Sequence, residues 1–339
     1  MNILLVLLLY FFAGIINGSF ATPSKYIKHW KFENIWLQHA LWAFLILPWI
    51  AAFIFAPQIL QIYSTASVTM IGATILCGFL FGIGQIASAF AIHIIGIGLT
   101  FVICIGLSTA LGFLLPLAIQ HPEKIFTPFG YVTITGTLLA ILGFIFSTYA
   151  GKLRGGNAAK QGGAKSNKSY FLGVSLALFA GLFSAGQNIC FALTGSLQKI
   201  AISLGVKSLG AALIVWPAFL TFAFIPYAAY MVFLLYKNKS FVLYRGSDKK
   251  NYYFLTFVMG MCWYGSLMFY SKASQLGGAL GPIVGWPIFM VLIIITSNVW
   301  SWIHKEWKNA GRAALTYLWI GLSLLVMSVL ILAYGSAIV

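Results

Sequence analysis

Ile3-Leu4-Leu5-Val6-Leu7-Leu8-Leu9-Tyr10-Phe11-Phe12 runs without a charged side chain and without alternation. Leu322-Ser323-Leu324-Leu325-Val326-Met327-Ser328-Val329-Leu330-Ile331-Leu332 reads the same way near the other end. A strand of a membrane barrel alternates apolar and polar residues over about ten positions. Neither run does. Both therefore read as helices, whose backbone hydrogen bonds are satisfied within the segment when the solvent is lipid. A spanning helix needs about 20 mainly apolar residues. Ten such stretches are predicted, over residues 1–22, 34–55, 66–91, 94–119, 128–150, 170–192, 208–236, 251–271, 275–303 and 313–336. The expected fold is an all-α membrane protein, and too little chain remains for a separate soluble domain. The first stretch lacks the basic flank of a signal peptide, so it reads as a span.

Composition agrees. Only Glu33, Glu123, Asp248 and Glu306 are acidic, and charged residues make up 7% of the 339. A soluble surface needs roughly a quarter. No carboxylate lies inside an apolar stretch, although such a residue is a common proton carrier in transporters. The net charge of +16 is dispersed over short loops rather than gathered into a nucleic-acid patch. Cys77, Cys104, Cys190 and Cys262 all lie within spans and lack metal-ligand spacing, so they read as small packing residues. Paired catalytic carboxylates, a His-Glu-x-x-His motif and a phosphate-binding loop are absent, so neither an enzyme nor a cofactor is implied.

The basic residues orient the chain. Sixteen of the 20 Lys and Arg lie in odd-numbered connections. That bias puts the odd connections in the cytoplasm and both termini outside. The segment Gly151–Ser169 is rich in Gly, Ala and Lys and reads as a flexible linker. It divides the chain into a five-span half at 1–150 and another at 170–339.

The halves share a pattern. Phe12-Ala13-Gly14-Ile15-Ile16-Asn17 matches Phe179-Ala180-Gly181-Leu182-Phe183-Ser184 at an offset of 167. At an offset of 179, Phe90 pairs with Phe269, Gly98 with Gly277 and Gly106 with Gly285. Five spans is an odd number, so the second half enters the membrane in the opposite sense. Two inverted five-helix repeats are expected, with a substrate site near the midplane between them.

Polar groups inside spans are costly unless paired or wet. Asn17, Gln85, Ser184, Gln187, Asn188, Trp263, Tyr264 and Trp286 form the candidate binding set. Amides and hydroxyls both donate and accept, as a polyol requires. Aromatic faces pack on the apolar face of a sugar. The same side chains also serve as glue between helices. His39 has the reference pKa suited to proton exchange near neutrality. His93 and Lys272, related by the 179 offset, are candidate gating cations, or side chains that snorkel to the interface. Pro282 and Pro287 lead us to expect a kinked or locally unwound ninth span, with further bends at Pro116, Pro217 and Pro226.

Three stretches carry a resemblance. They are Ala21-Thr22-Pro23-Ser24-Lys25 with Lys28-His29-Trp30-Lys31-Phe32-Glu33-Asn34-Ile35-Trp36, then Ile46-Leu47-Pro48-Trp49, and Lys305-Glu306-Trp307-Lys308-Asn309-Ala310-Gly311-Arg312. With Phe183-Ser184-Ala185-Gly186 and Trp263-Tyr264, they are similar to the L-rhamnose/proton symporter family of the drug/metabolite transporter superfamily. The resemblance implies a multi-pass protein of a bacterial inner membrane that imports a sugar with a proton. In characterised rhamnose carriers an acidic residue precedes the tryptophan matched here by Trp286. This chain instead reads Gly281-Pro282-Ile283-Val284-Gly285-Trp286. Coupling then falls to another residue, such as His39, or is absent. Two alternatives stand beside proton symport: an uncoupled facilitator or exporter of another small metabolite or drug, and a non-transporting membrane sensor or assembly component. The expected partners are a small polar solute, a proton and the lipid bilayer, with no nucleic acid.

Overall fold

Among the described residues, ten helices long and apolar enough to cross a membrane follow one another. The computed structural model describes residues 3–154, 167–246 and 249–338. Its spanning helices are Ile3–Ser19, Phe32–Phe55, Val68–Ile95, Ile97–Gln120 and Pro128–Arg154 in the first half. The second half holds Asn167–Leu193, Ser208–Lys237, Lys249–Leu276, Gly281–Ile303 and Arg312–Ala337. The protein is a multi-pass membrane protein. Of the expected linker, residues 155–166 lie outside the described residues. Its first four residues instead extend the fifth helix to Arg154, where Lys152 and Arg154 face the negative end of the helix dipole.

Three spans depart from regular helix, each for a local reason. The second contains a π turn at Leu41–Ile46, just before Pro48. A proline ring crowds the carbonyl four residues back, and the wider turn accommodates it. The seventh breaks at Ile214, between helices Ser208–Leu213 and Val215–Lys237. There the Tyr63 hydroxyl donates to Ile214 O at 2.6 Å and accepts from Ala218 N at 3.2 Å, bridging one interrupted helix bond. In the ninth, unwinding is confined to a 3-10 turn at Gly278–Leu280. Pro282 sits in the first helical turn, where its missing N–H costs nothing.

The packing follows a rule. The first span packs on the eighth and ninth, and the sixth packs on the third and fourth. The third lies on the seventh and the second on the eighth. The second and seventh, fourth and ninth, and fifth and tenth pair with each other. Moving every span number by five maps these pairings onto themselves. Close approaches follow suit. A Cβ on Gly14 of the first span would meet Leu292 Cβ of the ninth at 2.2 Å. A Cβ on Gly181 of the sixth would meet Leu107 Cβ of the fourth at 3.0 Å. In lipid, close contact between helices relies on small residues of this kind.

Candidate functional site

The bundle has two unlike ends. At the end holding the odd connections, Glu306 receives Lys25, Arg154 Nη1 (2.9 Å) and the Ser301 hydroxyl (3.0 Å). The Arg154 guanidinium also lies 4.5 Å from the centroid of Trp307. Partial burial pushes the Glu306 carboxyl up. Bonds from Lys25 and Ser301, with the charges of Lys25 and Arg154, outweigh that and hold it below its ordinary value. At the same end, Glu33 Oε1 accepts from Ser240 Oγ at 2.6 Å and Asn238 Nδ2 at 2.9 Å. Asn34 donates to Ser240 O at 3.0 Å, and Trp30 to Leu243 O at 3.0 Å. The first, seventh and ninth connections are thereby tied together across the two halves.

The opposite end is open. A cleft of about 480 Å³ lies among the ends of the fourth, sixth and eighth spans and the start of the ninth. Gln120, His121, Ser196, Gln198, Lys199 and Gln275 supply its polar wall, while Phe191, Ser274 and Pro282 lie against the buried core. Part of the wall is a short helix, Gly195–Ser203, continuing from the sixth span.

Next to that core side runs a polar layer. Asn188 is fully buried, and its amide donates to Gly112 O at 2.7 Å and Pro282 O at 3.0 Å. Its Oδ1 accepts from the Tyr270 hydroxyl. The Tyr10 hydroxyl donates to Gly281 O at 2.8 Å and lies 3.1 Å from Ser274 Oγ. Trp286 Nε1 donates to Ser108 O at 3.0 Å, and Trp216 Nε1 to Ser271 Oγ at 2.7 Å. Toward the tied end, Asn17 Nδ2 donates to Ser266 Oγ at 2.7 Å. His39 is enclosed by the rings of Phe20, Trp36, Phe44 and Trp263 at centroid distances of 5.3–6.4 Å.

The residues proposed from sequence therefore fall into groups. Asn188 and Trp286 join one layer, linked by Tyr270, whose ring lies 5.7 Å from the Trp286 ring. Trp263 and His39 are neighbours. Asn17 pairs with Ser266 on the eighth span. Three of the proposed residues each carry a buried polar atom, His39 Nε2, Gln187 Nε2 and Tyr264 Oη, with no hydrogen-bond partner among the described residues. Gln85 and Ser184 are half-buried on the third and sixth spans, which pack together. His93 is exposed at one short connection, and Lys272 donates to Ser208 near the other. None of the proposed residues lines the open cleft.

Sequence reasoning missed Tyr10, Ser266 and Ser274. One signal was available: Ser266, Tyr270 and Ser274 recur every four residues and share a face of the eighth helix. Tyr10 and Asn17, seven apart on the first helix, face that stripe.

Compared with known proteins, the chain matches the family model for the L-rhamnose-proton symport protein (RhaT) over residues 1–338. The chain belongs to this family. A Klebsiella pneumoniae protein named L-rhamnose-proton symporter is 28% identical over 333 residues, covering 94% of each chain. Proteins of the same name from Escherichia coli O17:K52:H18 and Yersinia pestis are 26% and 24% identical over 327 residues, again covering 94% of each chain. In this chain of the RhaT family, two of the stretches quoted above meet at the tied end, where Lys25 pairs with Glu306.

Proposed function

We propose that the chain imports L-rhamnose or a related monosaccharide together with a proton, by alternating access. One observation carries this reading: a cleft of about 480 Å³ enters one end of the bundle while Glu306 and Glu33 tie the other. Small-ligand sites run from about 300 to 1,000 Å³. Full-length similarity to proteins named L-rhamnose-proton symporter supports both the sugar and the proton.

The basic odd connections then face the cytoplasm of a bacterial inner membrane, both termini lie outside, and the cleft opens outward. The two five-span halves, on either side of residues 155–166, act as inverted repeats. The mapping of span pairings by five, and the equivalent approaches at Gly14 and Gly181, support that arrangement. Rocking one half against the other opens the tied end and closes the cleft.

In this scheme sugar enters the cleft and stops at the layer of Tyr10, Asn188 and Tyr270. As the halves move, the amides of Asn17, Gln85, Gln187 and Asn188 and the hydroxyl of Ser184 exchange their bonds for sugar hydroxyls. Trp263, Tyr264 and Trp286 pack on the ring. His39 carries the proton, because its free Nε2 meets water once the cytoplasmic end opens. His93 and Lys272 respond to closure at opposite ends.

A second reading, a carrier without proton coupling, is favoured by the lack of any carboxylate within an apolar stretch. Uptake of labelled L-rhamnose into proteoliposomes, with and without an inward proton gradient, separates the two. Accumulation only with the gradient supports symport. Equilibration that ignores the gradient removes the proton, and absence of uptake rejects both readings.

A further inference from the structure

The open cleft is chemically one-sided. Its lining holds the ammonium of Lys199 and the imidazole of His121, and among the described residues no carboxylate lines it. Glu123, which is well exposed, lies 3.4 Å from His121 Nδ1. The polar residues add donors. Gln275 Oε1 already accepts from the Ser208 hydroxyl at 2.6 Å, and Lys272 in turn donates to Ser208. The Gln275 amide keeps its N–H groups and one lone pair of Oε1. Ser196 adds a hydroxyl. Gln120 uses one amide N–H on Ala192 O at 3.1 Å and keeps the other with its Oε1, and Gln198 adds a further amide.

The amides and the hydroxyl of this wall both donate and accept, so they match the hydroxyls of a neutral sugar and of a sugar acid alike. What separates the two is the Lys199 ammonium, with no carboxylate in the lining beside it, which suits a ligand that also carries negative charge. The volume suits a single sugar ring. Resting on the transport reading above, we infer that the cleft favours a monosaccharide bearing a carboxylate, a sugar acid, over a neutral sugar of the same skeleton. Lys199 and His121 hold the carboxylate, while Gln120, Ser196 and Gln275 hold hydroxyls. Such a substrate also brings into the membrane the one chemical group that the apolar stretches lack.

The test uses the full chain in proteoliposomes with a matched pair, D-galacturonate and D-galactose, and labelled L-rhamnose alongside. Each unlabelled sugar is measured as a competitor of L-rhamnose uptake and as a ligand that raises the thermal midpoint. D-galacturonate is expected to act at about a tenth of the D-galactose concentration, as loss of one charge-assisted hydrogen bond implies. Lys199→Gln should shrink that ratio toward one, and Lys199→Arg should keep it. If Lys199→Gln does not fold, the ratio in the unaltered protein decides. Equal action of the two sugars, with L-rhamnose still taken up, overturns this inference and leaves the transport reading standing. Inorganic phosphate as effective as D-galacturonate also overturns it, because the cleft would then select any anion, including a lipid headgroup. If D-galacturonate alone binds or is taken up, the inference holds and the L-rhamnose assignment falls. If no sugar binds or moves, both fail.

Discussion

The Tyr270 hydroxyl donates its hydrogen bond to Asn188 Oδ1, joining the eighth span to the sixth. The same asparagine reaches Gly112 O on the fourth and Pro282 O on the ninth. Four helices from both halves thus meet on one side chain beside the floor of the cleft. Tyr270→Phe leaves Asn188 Oδ1 buried without that donor, at a cost of about 1–3 kcal/mol. The thermal midpoint in detergent should fall. Asn188→Ala removes the amide donor from Gly112 O and from Pro282 O and should lower it further, with a raised half-saturation constant for uptake.

Gly112 faces Trp286 so closely that a Cβ would lie 2.4 Å from the indole Nε1. Trp286 is fully buried and has no room to withdraw. Gly112→Ala should destabilise by about 1–3 kcal/mol, as overpacking generally does. Gly72→Ala, where nothing lies within 4 Å, is the control and should leave the midpoint unchanged or higher.

Glu306 joins Lys25, Arg154 and Ser301 at the edge of the tied end. Removing its charge should favour opening there. An exposed ion pair contributes up to about 1 kcal/mol, roughly a fivefold change in population. Glu306→Gln should therefore raise labelling at the cytoplasmic end several-fold while the protein still inserts. Unchanged labelling would mean that the cluster does not oppose opening.

The pH response of that latch has a definite sign. The Glu306 carboxyl is held below its ordinary value while the end is tied. Its contribution is complete above the ordinary carboxylate value and is lost as pH falls through the lowered one. It stays charged near neutrality. Gradient-driven uptake between about pH 6 and 8 should keep its pH profile in Glu306→Gln. His39→Gln should abolish accumulation while leaving equilibration intact, since it removes the proposed proton carrier. A pH profile altered in Glu306→Gln would shift that role from His39 to the latch.

All ten spans were legible in sequence, because apolar runs such as Ile3–Phe12 leave no other solution in lipid. Breaks occur near Pro217 and Pro282, whereas Pro116, Pro226 and Pro287 lie within continuous helices. Pro217 marks a break in the seventh span, but its repair by Tyr63 comes from another helix. The site was harder to read. Asn188 stood out as a polar residue in an apolar run, whereas Tyr10 in a Leu-rich run resembles ordinary packing. Gln120, Lys199 and Gln275 lie at span edges, where polar residues are expected anyway. Only the folding of four spans around one opening gives them a common role.

The most direct test of alternating access compares thiol accessibility at the two ends in proteoliposomes, above the background of the native cysteines. Gln198→Cys reports on the cleft, and Ser240→Cys, at a position 1% exposed beside Glu33, reports on the tied end. With L-rhamnose and an inward proton gradient, the account predicts protection at position 198 and new reactivity at position 240. Transport of L-rhamnose with neither position changing would contradict it.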